Sequence, residues 1–197
     1  MSIRRFSALL ALALVPVSLA AQHGGGGPSL VTAAPKEASQ FDFLLGEWEL
    51  TVKLAPTTLA QRIHGTPKLV ATWKAARALD GWGISDELRI TDAAGNPMTL
   101  SHSVRLFDQT ARQWKISAID VYRARFTSVT GDWQNGEMHL ASQGTSPDGK
   151  PTMARTRLYD IKPDSFKFEQ DRSEDGGKTW LEGALHMDAR RVGAPPR

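Results

Sequence analysis

The chain has 197 residues, enough for one domain with a substantial apolar core, and it contains no cysteine. Disulfide bonds, thiol chemistry and thiolate metal sites are therefore excluded. The chain has 24 basic and 21 acidic side chains, but two of the basic ones, Arg4 and Arg5, lie in a predicted export signal. The rest carries a net charge of about +1, so we expect no nucleic-acid partner.

Residues 1–21 have the pattern of a secretory signal peptide. Arg4 and Arg5 form a basic start, residues 6–17 are mostly apolar, and Ser18-Leu19-Ala20 resembles a cleavage site. The apolar run is shorter than the roughly 20 residues that cross a bilayer, so no stable membrane span is expected. We predict that the mature protein is periplasmic or secreted.

Residues 22–39 are rich in glycine, proline, alanine and serine, including a run of consecutive glycines. This composition predicts a flexible tether that adds nothing to the core. Residues 192–197 are predicted to be a disordered tail. The folded domain is therefore expected to span residues 40–191.

The folded domain opens with residues 41–50, FDFLLGEWEL, where an apolar cluster ends at Gly46 and a strand begins. From Trp48 the apolar residues take every second position, which is the period of a strand with one buried face. About ten such segments follow, separated by turn sequences such as Asp80-Gly81. Connections this short join antiparallel neighbours. The sequence predicts an all-β fold, an up-and-down antiparallel β-barrel of about 8–10 strands, with a two-sheet β-sandwich as the alternative.

Residues 173–180, SEDGGKTW, match the pattern Ser-x-Asp-x-Gly-x-x-Trp that recurs in sialidase-like propellers. This chain has one copy of the pattern and no repeat of blade length. We therefore interpret the segment as a turn between two strands.

The pair Gly46 and Trp48 at the head of the first strand, followed by the long meander, resembles the calycin group, which includes lipocalins and nitrobindin-like barrels. The opening Phe-Asp-Phe-x-x-Gly-x-Trp from Phe41 is similar to that of exported bacterial domains of unknown function. The resemblance implies that Trp48 closes the barrel floor and stacks on Arg191, near the end of the last strand. Nitrobindin-like barrels bind haem through a late histidine. The candidate here, His186, has the parity of the polar face, so no cofactor is expected.

Hairpin registers predict which side chains share the inner face. A turn at Asp80-Gly81 pairs Ala75 with Asp86, and a turn near Ala94 then pairs Asp86 with His102. The inner face would then carry a polar group formed by Arg77, Asp86, His102 and Asp120. Charges buried in a barrel are costly unless paired, so this group is either a satisfied network or a ligand site.

We therefore predict a barrel that holds a small, partly apolar molecule in its lumen. The polar anchors would be Arg77, Asp86, His102 and Asp120. The apolar wall would be Trp73, Trp82, Leu88, Leu100, Trp114, Ile116, Phe166 and Phe168. No catalytic residue and no metal ligand is assigned.

Two other functions stay open at this point. The first is a hydrolase or isomerase that uses His102 with a carboxylate as a general base. The second is a packed envelope interaction domain without a ligand, which would have no internal cavity and an exposed apolar patch elsewhere.

Overall fold

The computed structural model describes residues 33–193, most of which form β-strands. The strands are β1 (Gly46–Leu54), β2 (Leu69–Ala78), β3 (Gly83–Asp92), β4 (Pro97–Asp108), β5 (Gln113–Asp120), β6 (Arg125–Gln134), β7 (Glu137–Thr145), β8 (Pro151–Lys162), β9 (Ser165–Ser173) and β10 (Leu181–Val192). Within the described range, helical structure is limited to two 3₁₀ segments, Lys36–Leu44 and Leu79–Gly81, and one α-helix, α1 (Leu59–His64). The predicted signal peptide lies outside the described residues, as does most of the predicted tether.

Each strand pairs antiparallel with the next strand along the chain, and β1 pairs with β10 to close the sheet. Closure gives every strand two hydrogen-bonded neighbours and leaves no open edge. The prediction of an up-and-down antiparallel β-barrel is therefore confirmed, with ten strands. The alternative of a two-sheet sandwich is wrong.

The N-terminal 3₁₀ helix, Lys36–Leu44, closes one end of the barrel. Its side chains Phe41 and Leu44 are fully buried. The Phe41 ring meets the Trp114 ring edge to face, with the two centroids 4.7 Å apart. Aromatic pairs of this geometry stabilise a core beyond the area that they bury. We call this the closed end of the barrel.

The boundary predicted between tether and domain is wrong by several residues. Ala38 was predicted to lie in the flexible tether, but it is buried, and its carbonyl oxygen accepts a hydrogen bond of 2.9 Å from Arg77 Nη1. The glycine-rich composition of residues 22–39 gave no indication that a short segment near Ala38 is fixed by a hydrogen bond to its backbone from Arg77, which is distant in the sequence. At the other boundary, β10 extends to Val192, one residue into the predicted tail.

Trp48 and Arg191 join the first and last strands at the closed end. The two residues are directly opposite in the β1–β10 pairing, and Arg191 Cζ lies 4.1 Å from the Trp48 ring centroid. Trp48 Nε1 donates a 2.8 Å hydrogen bond to the carbonyl oxygen of Leu44. Gly46 begins the strand with a φ of 102°, which glycine adopts without steric strain. The contact between Arg191 and the Trp48 ring is the one that the resemblance to calycins predicted.

One of the two predicted hairpin registers differs in the structure. The β2–β3 register is as expected, with Ala75 opposite Asp86. A bulge at Ile90 and Thr91 then shifts the β3–β4 pairing by one residue, so that Asp86 lies opposite Ser103 and not His102. A shift of one residue turns every side chain of a strand to the other face. The inner face of β4 therefore carries Ser101, Ser103, Arg105 and Phe107.

The connections β1–β2, β3–β4, β5–β6, β7–β8 and β9–β10 all lie at the end opposite the N-terminal 3₁₀ helix, because antiparallel strands alternate in direction. We call this the open end. The β1–β2 connection contains α1, which Thr58 caps by accepting a hydrogen bond from the Gln61 amide. Among residues 33–193, no helix has the length and apolar character needed to cross a membrane.

The SEDGGKTW segment forms the β9–β10 turn, as its sequence predicts. The Asp175 carboxylate accepts hydrogen bonds from the Thr179 amide and hydroxyl, the Ser173 hydroxyl and the Lys178 amide. These donors, the Thr179 amide first among them, lower the pKa of Asp175 below its ordinary value. The ionised carboxylate therefore organises the turn.

Because the pKa of Asp175 is lower in the folded than in the unfolded chain, its contribution to stability is present above the ordinary aspartate pKa. The contribution is lost as the pH falls through the lowered folded pKa. We expect Asp175→Ala to lower the Tm by a few degrees at pH 7, and the difference from wild type to shrink as the pH falls below about 4. Circular dichroism melts would measure this. Glu174→Gln, next to it, is the control, and a difference that stays constant with pH would contradict the role of the ionised carboxylate.

Candidate ligand-binding lumen

A cavity of about 190 Å³ lies inside the barrel, between its middle and the open end. It is lined by side chains from eight strands, β2 to β9. The lining includes Trp73, Asp86, Leu88, Ser101, Ser103, Arg105, Ile116, Ala118, Val129, Leu140, Ser142, Thr156, Phe168 and Gln170. An apolar wall with a few polar groups is the usual composition of a small-molecule site.

Asp86 and Arg105 form a buried ion pair in this cavity. Arg105 Nε donates to Asp86 Oδ2 at 2.6 Å, and Arg105 Nη2 donates to Oδ1 at 3.0 Å. Trp73 Nε1 donates a third hydrogen bond to Asp86 Oδ1 at 2.8 Å. The two charged side chains are 1% and 5% exposed. A bidentate pair with its carboxylate satisfied is the arrangement in which buried charges are tolerated.

The Arg105 guanidinium also contacts the aromatic rings that surround it. Its Cζ lies 4.9 Å from the Phe41 ring centroid and 5.7 Å from that of Trp73. Its remaining nitrogen, Nη1, has no hydrogen-bond partner among residues 33–193. Arg105 itself is one of the residues that line the cavity.

Hydroxyl and amide groups line the cavity above the ion pair. Ser103 and Thr156 are buried, and Gln170 Nε2 donates to Thr156 Oγ1 at 3.1 Å. Ser101 of β4 and Ser142 of β7 add two more hydroxyls. Because hydroxyl groups rotate to donate or to accept, these side chains can hydrogen-bond to either a donor or an acceptor group of a ligand.

Two residues predicted to bind the ligand lie at the closed end. Arg77 donates to the Ala38 carbonyl and forms an ion pair with Asp42, so it holds the N-terminal 3₁₀ helix in place. Trp114 is fully buried between Phe41 and Phe107, and its Nε1 donates to Gln40 Oε1 at 2.9 Å. Their inward parity was predicted correctly. They do not line the cavity because the helix fills that end.

His102 was predicted to join Asp86 in the lumen, and this prediction is wrong. The shifted register of β4 turns His102 to the outer surface, where its Nε2 lies 3.1 Å from Ser85 Oγ. Leu100 moves to the outside for the same reason. Trp82, also predicted in the wall, lies in the turn between β2 and β3 at the closed end.

Asp120 lies at the open end, opposite Ser101 of β4. Its carboxylate accepts a 2.7 Å hydrogen bond from Arg123 Nη1 and so ties the β5–β6 connection to the rim. It does not contact Asp86. His186, the late histidine, lies outside the lumen, as its parity predicts, with its Nε2 3.1 Å from Asp188 Oδ1.

Of the predicted site, the structure places Asp86, Trp73, Leu88, Ile116 and Phe168 in the cavity. The principal residue that sequence reasoning missed is Arg105. The alternation in β4 placed Arg105 with the polar outer positions, because Val104 and Leu106 flank it. One signal could have located it: the inner face of β3 carries an acid, Asp86, which requires a cation within reach.

No family model matches the chain, and no curated protein sequence matches it. Among solved structures, the chain is similar to an S-type phycobiliprotein lyase from Guillardia theta. The two share 12% sequence identity with a TM-score of 0.53, over 78% of this chain and 91% of the lyase. The similarity agrees with the closed antiparallel β-barrel described above. Identity at this level establishes the architecture alone, since barrels of one fold have many functions.

Proposed function

We propose that this protein is an exported carrier that binds one small, uncharged, partly apolar molecule in the barrel lumen. The observation that carries the proposal is the cavity above the Asp86–Arg105 pair. Its walls combine apolar side chains with hydroxyl groups and with Arg105. Export is supported by the signal-like residues 1–21 and by a folded domain that needs no disulfide.

The charge of the ligand follows from the ion pair. Asp86 and Arg105 neutralise each other through two hydrogen bonds, so a ligand charge would enter the lumen without an opposite charge to meet it. An unpaired charge in an apolar cavity is strongly unfavourable. A carbonyl or hydroxyl oxygen, in contrast, can accept from Arg105 Nη1 without disturbing the pair.

The size of the ligand follows from the volume. A dry cavity of about 150 Å³ is known to hold a benzene ring. A lumen of about 190 Å³ therefore suits one ring or two fused rings with a polar substituent, unless the molecule extends through the open end. The inner face favours a flat ring, because Trp73 and Phe168 provide aromatic walls.

We expect the exported protein to bind 2-naphthol, a neutral two-ring probe, at least about tenfold more tightly than naphthalene-2-sulfonate, its anionic counterpart. Ala118→Leu adds bulk to the cavity wall and should abolish binding. Ser117→Leu adds the same bulk to the neighbouring outer face and should not. Quenching of tryptophan fluorescence, with Trp73 in the wall, measures both affinities.

Native mass spectrometry of the protein purified from its exporting host is the direct test. Its intact mass shows where the mature chain begins, and the mass released on denaturation identifies a carried molecule. A protein that carries nothing and binds neither probe would contradict the carrier proposal. Equal loss of binding in Ala118→Leu and Ser117→Leu would contradict the lumen as the site.

The other two hypotheses have less support. The hydrolase or isomerase required His102 beside a carboxylate in the lumen, and within residues 33–193 no histidine lines the cavity. The packed interaction domain required a lumen without a cavity, and a cavity is present. The similarity to a lyase brings no catalytic residue to this chain, because 12% identity does not carry an active site.

A further inference from the structure

Exposed apolar side chains project from two connections at the open end. In the β1–β2 connection, Leu59 and Ile63 of α1 are 72% and 67% exposed. They are four residues apart and so share one face of the helix. In the β5–β6 connection and at the start of β6, Tyr122 and Phe126 are 47% and 77% exposed. Isolated exposed apolar residues are ordinary, but pairs on two connections at one end are not.

The two apolar tips lie apart on the rim. The ring order places four strands between the two connections in one direction and six in the other. The opening of the lumen lies between them. A protein interface needs a contiguous, well-packed central patch, which separated tips do not provide. A flat surface, in contrast, contacts both tips at once.

Basic residues accompany the apolar residues in these two segments. Residues 59–68 contain Arg62 and Lys68 and no acid, and residues 121–126 contain Arg123 and Arg125 and no acid. Among residues 33–193, no salt bridge involves Arg62, Lys68 or Arg125. Of the other three connections at this end, β7–β8 contains Asp148 and β9–β10 contains Glu174 and Asp175, while Asp92 and Asp120 end β3 and β5 at the same rim. Positive charge and apolar exposure therefore coincide.

We propose that the open end docks onto an anionic lipid bilayer through these two tips. Apolar and aromatic side chains flanked by arginine and lysine are the composition of segments that lie in a membrane interface. Anionic lipid headgroups attract the basic residues, and the acyl boundary takes up the side chains of Leu59, Ile63 and Phe126. Docking would direct the open end at the bilayer, so that, if the carrier proposal holds, an apolar ligand could pass between lumen and membrane without crossing water.

The test is flotation of the exported protein with vesicles of phosphatidylglycerol and phosphatidylcholine, compared with phosphatidylcholine alone. We expect binding to the anionic vesicles that weakens as salt is raised, because the headgroup attraction is screened. Ile63→Ser combined with Phe126→Ser should lower the bound fraction at least about fivefold. Arg62→Gln combined with Arg125→Gln should remove the preference for anionic vesicles.

Leu79→Ser is the matched control, since Leu79 is 54% exposed but lies at the closed end. It should float as wild type does. The proposal would be overturned if the protein failed to float with either kind of vesicle, or if Leu79→Ser lowered the bound fraction as much as the changes at the tips. It would also be overturned if the two tips bound a protein partner and the vesicles remained unbound. Ala118→Leu separates the two proposals, because this variant should no longer bind 2-naphthol but should still bind the anionic vesicles.

Discussion

Asp86→Ala is expected to lower the free energy of unfolding by about 3–5 kcal/mol, the range measured when one partner of a buried ion pair is removed. The substitution leaves the Arg105 guanidinium with a buried positive charge and no carboxylate, and it takes the acceptor from Trp73 Nε1. Both groups then remain out of water without a hydrogen-bond acceptor, so the free-energy cost of their desolvation is no longer offset. Urea unfolding followed by circular dichroism measures the change.

Two controls separate the effect of the unpaired charge on stability from the effect of removing side-chain atoms. Asp86→Leu combined with Arg105→Met replaces the pair by apolar side chains and should recover most of the stability. Glu47→Ala breaks a pair with Lys74 that is more than half exposed, and it should change the free energy by less than about 1 kcal/mol. If Asp86→Ala behaved as Glu47→Ala does, the pair would not be the buried element described above.

Arg191→Ala is expected to lower the free energy of unfolding by about 2–4 kcal/mol, from lost charged hydrogen bonds and a lost cation–π contact. Arg191 Nε donates to the Pro163 carbonyl at 2.7 Å, and Nη2 donates to that of Phe43 at 3.1 Å. Nη1 donates to the carbonyl of Leu45. One side chain of the last strand thus ties together the N-terminal 3₁₀ helix, the Trp48 ring and the β8–β9 turn. Urea unfolding measures the loss, and amide exchange should rise in the residues 36–44.

Arg190→Ala is the matched control, because Arg190 is adjacent, 80% exposed and has one contact of 3.5 Å, to Glu49. It should change the free energy by less than about 1 kcal/mol. Arg191→Lys keeps the charge but not the planar fork, so it should recover only part of the loss. Equal effects at positions 190 and 191 would show that the contacts at the closed end contribute little.

The β2–β3 register follows from local signals. Asp80-Gly81 lies in a three-residue 3₁₀ turn in which Asp80 has a φ of 52°, and the apolar alternation on both sides of this turn permits one register. The contact between Trp48 and Arg191 was likewise expected, from parity together with the resemblance. The register is specified by residues close to the turn, whereas the contact between the first and last strands was expected only with the help of the resemblance.

The content of the lumen could not be obtained in this way. In β4 the apolar residues Val104 and Leu106 alternate with polar ones, and the pattern predicts that the apolar set is inside. In the structure the apolar set faces outward instead, because Arg105 forms an ion pair with Asp86 on β3 and Phe107 packs against Trp114 on β5. A bulge at Ile90 and Thr91 permits the inversion. The pairing energy between strands outweighed the local alternation.

The sequence alone determined the all-β class, the order of the strands and the inward face of β5, because period-two patterning and turn residues act over a few positions. Only the tertiary structure decided which polar groups share the lumen, that Arg77 holds the N-terminal helix and that residues 36–39 belong to the domain. These outcomes depend on charges and backbone carbonyls meeting across distances of 19 to 39 residues along the chain. A buried charge must be paired wherever its partner lies, and no local pattern records where that partner is.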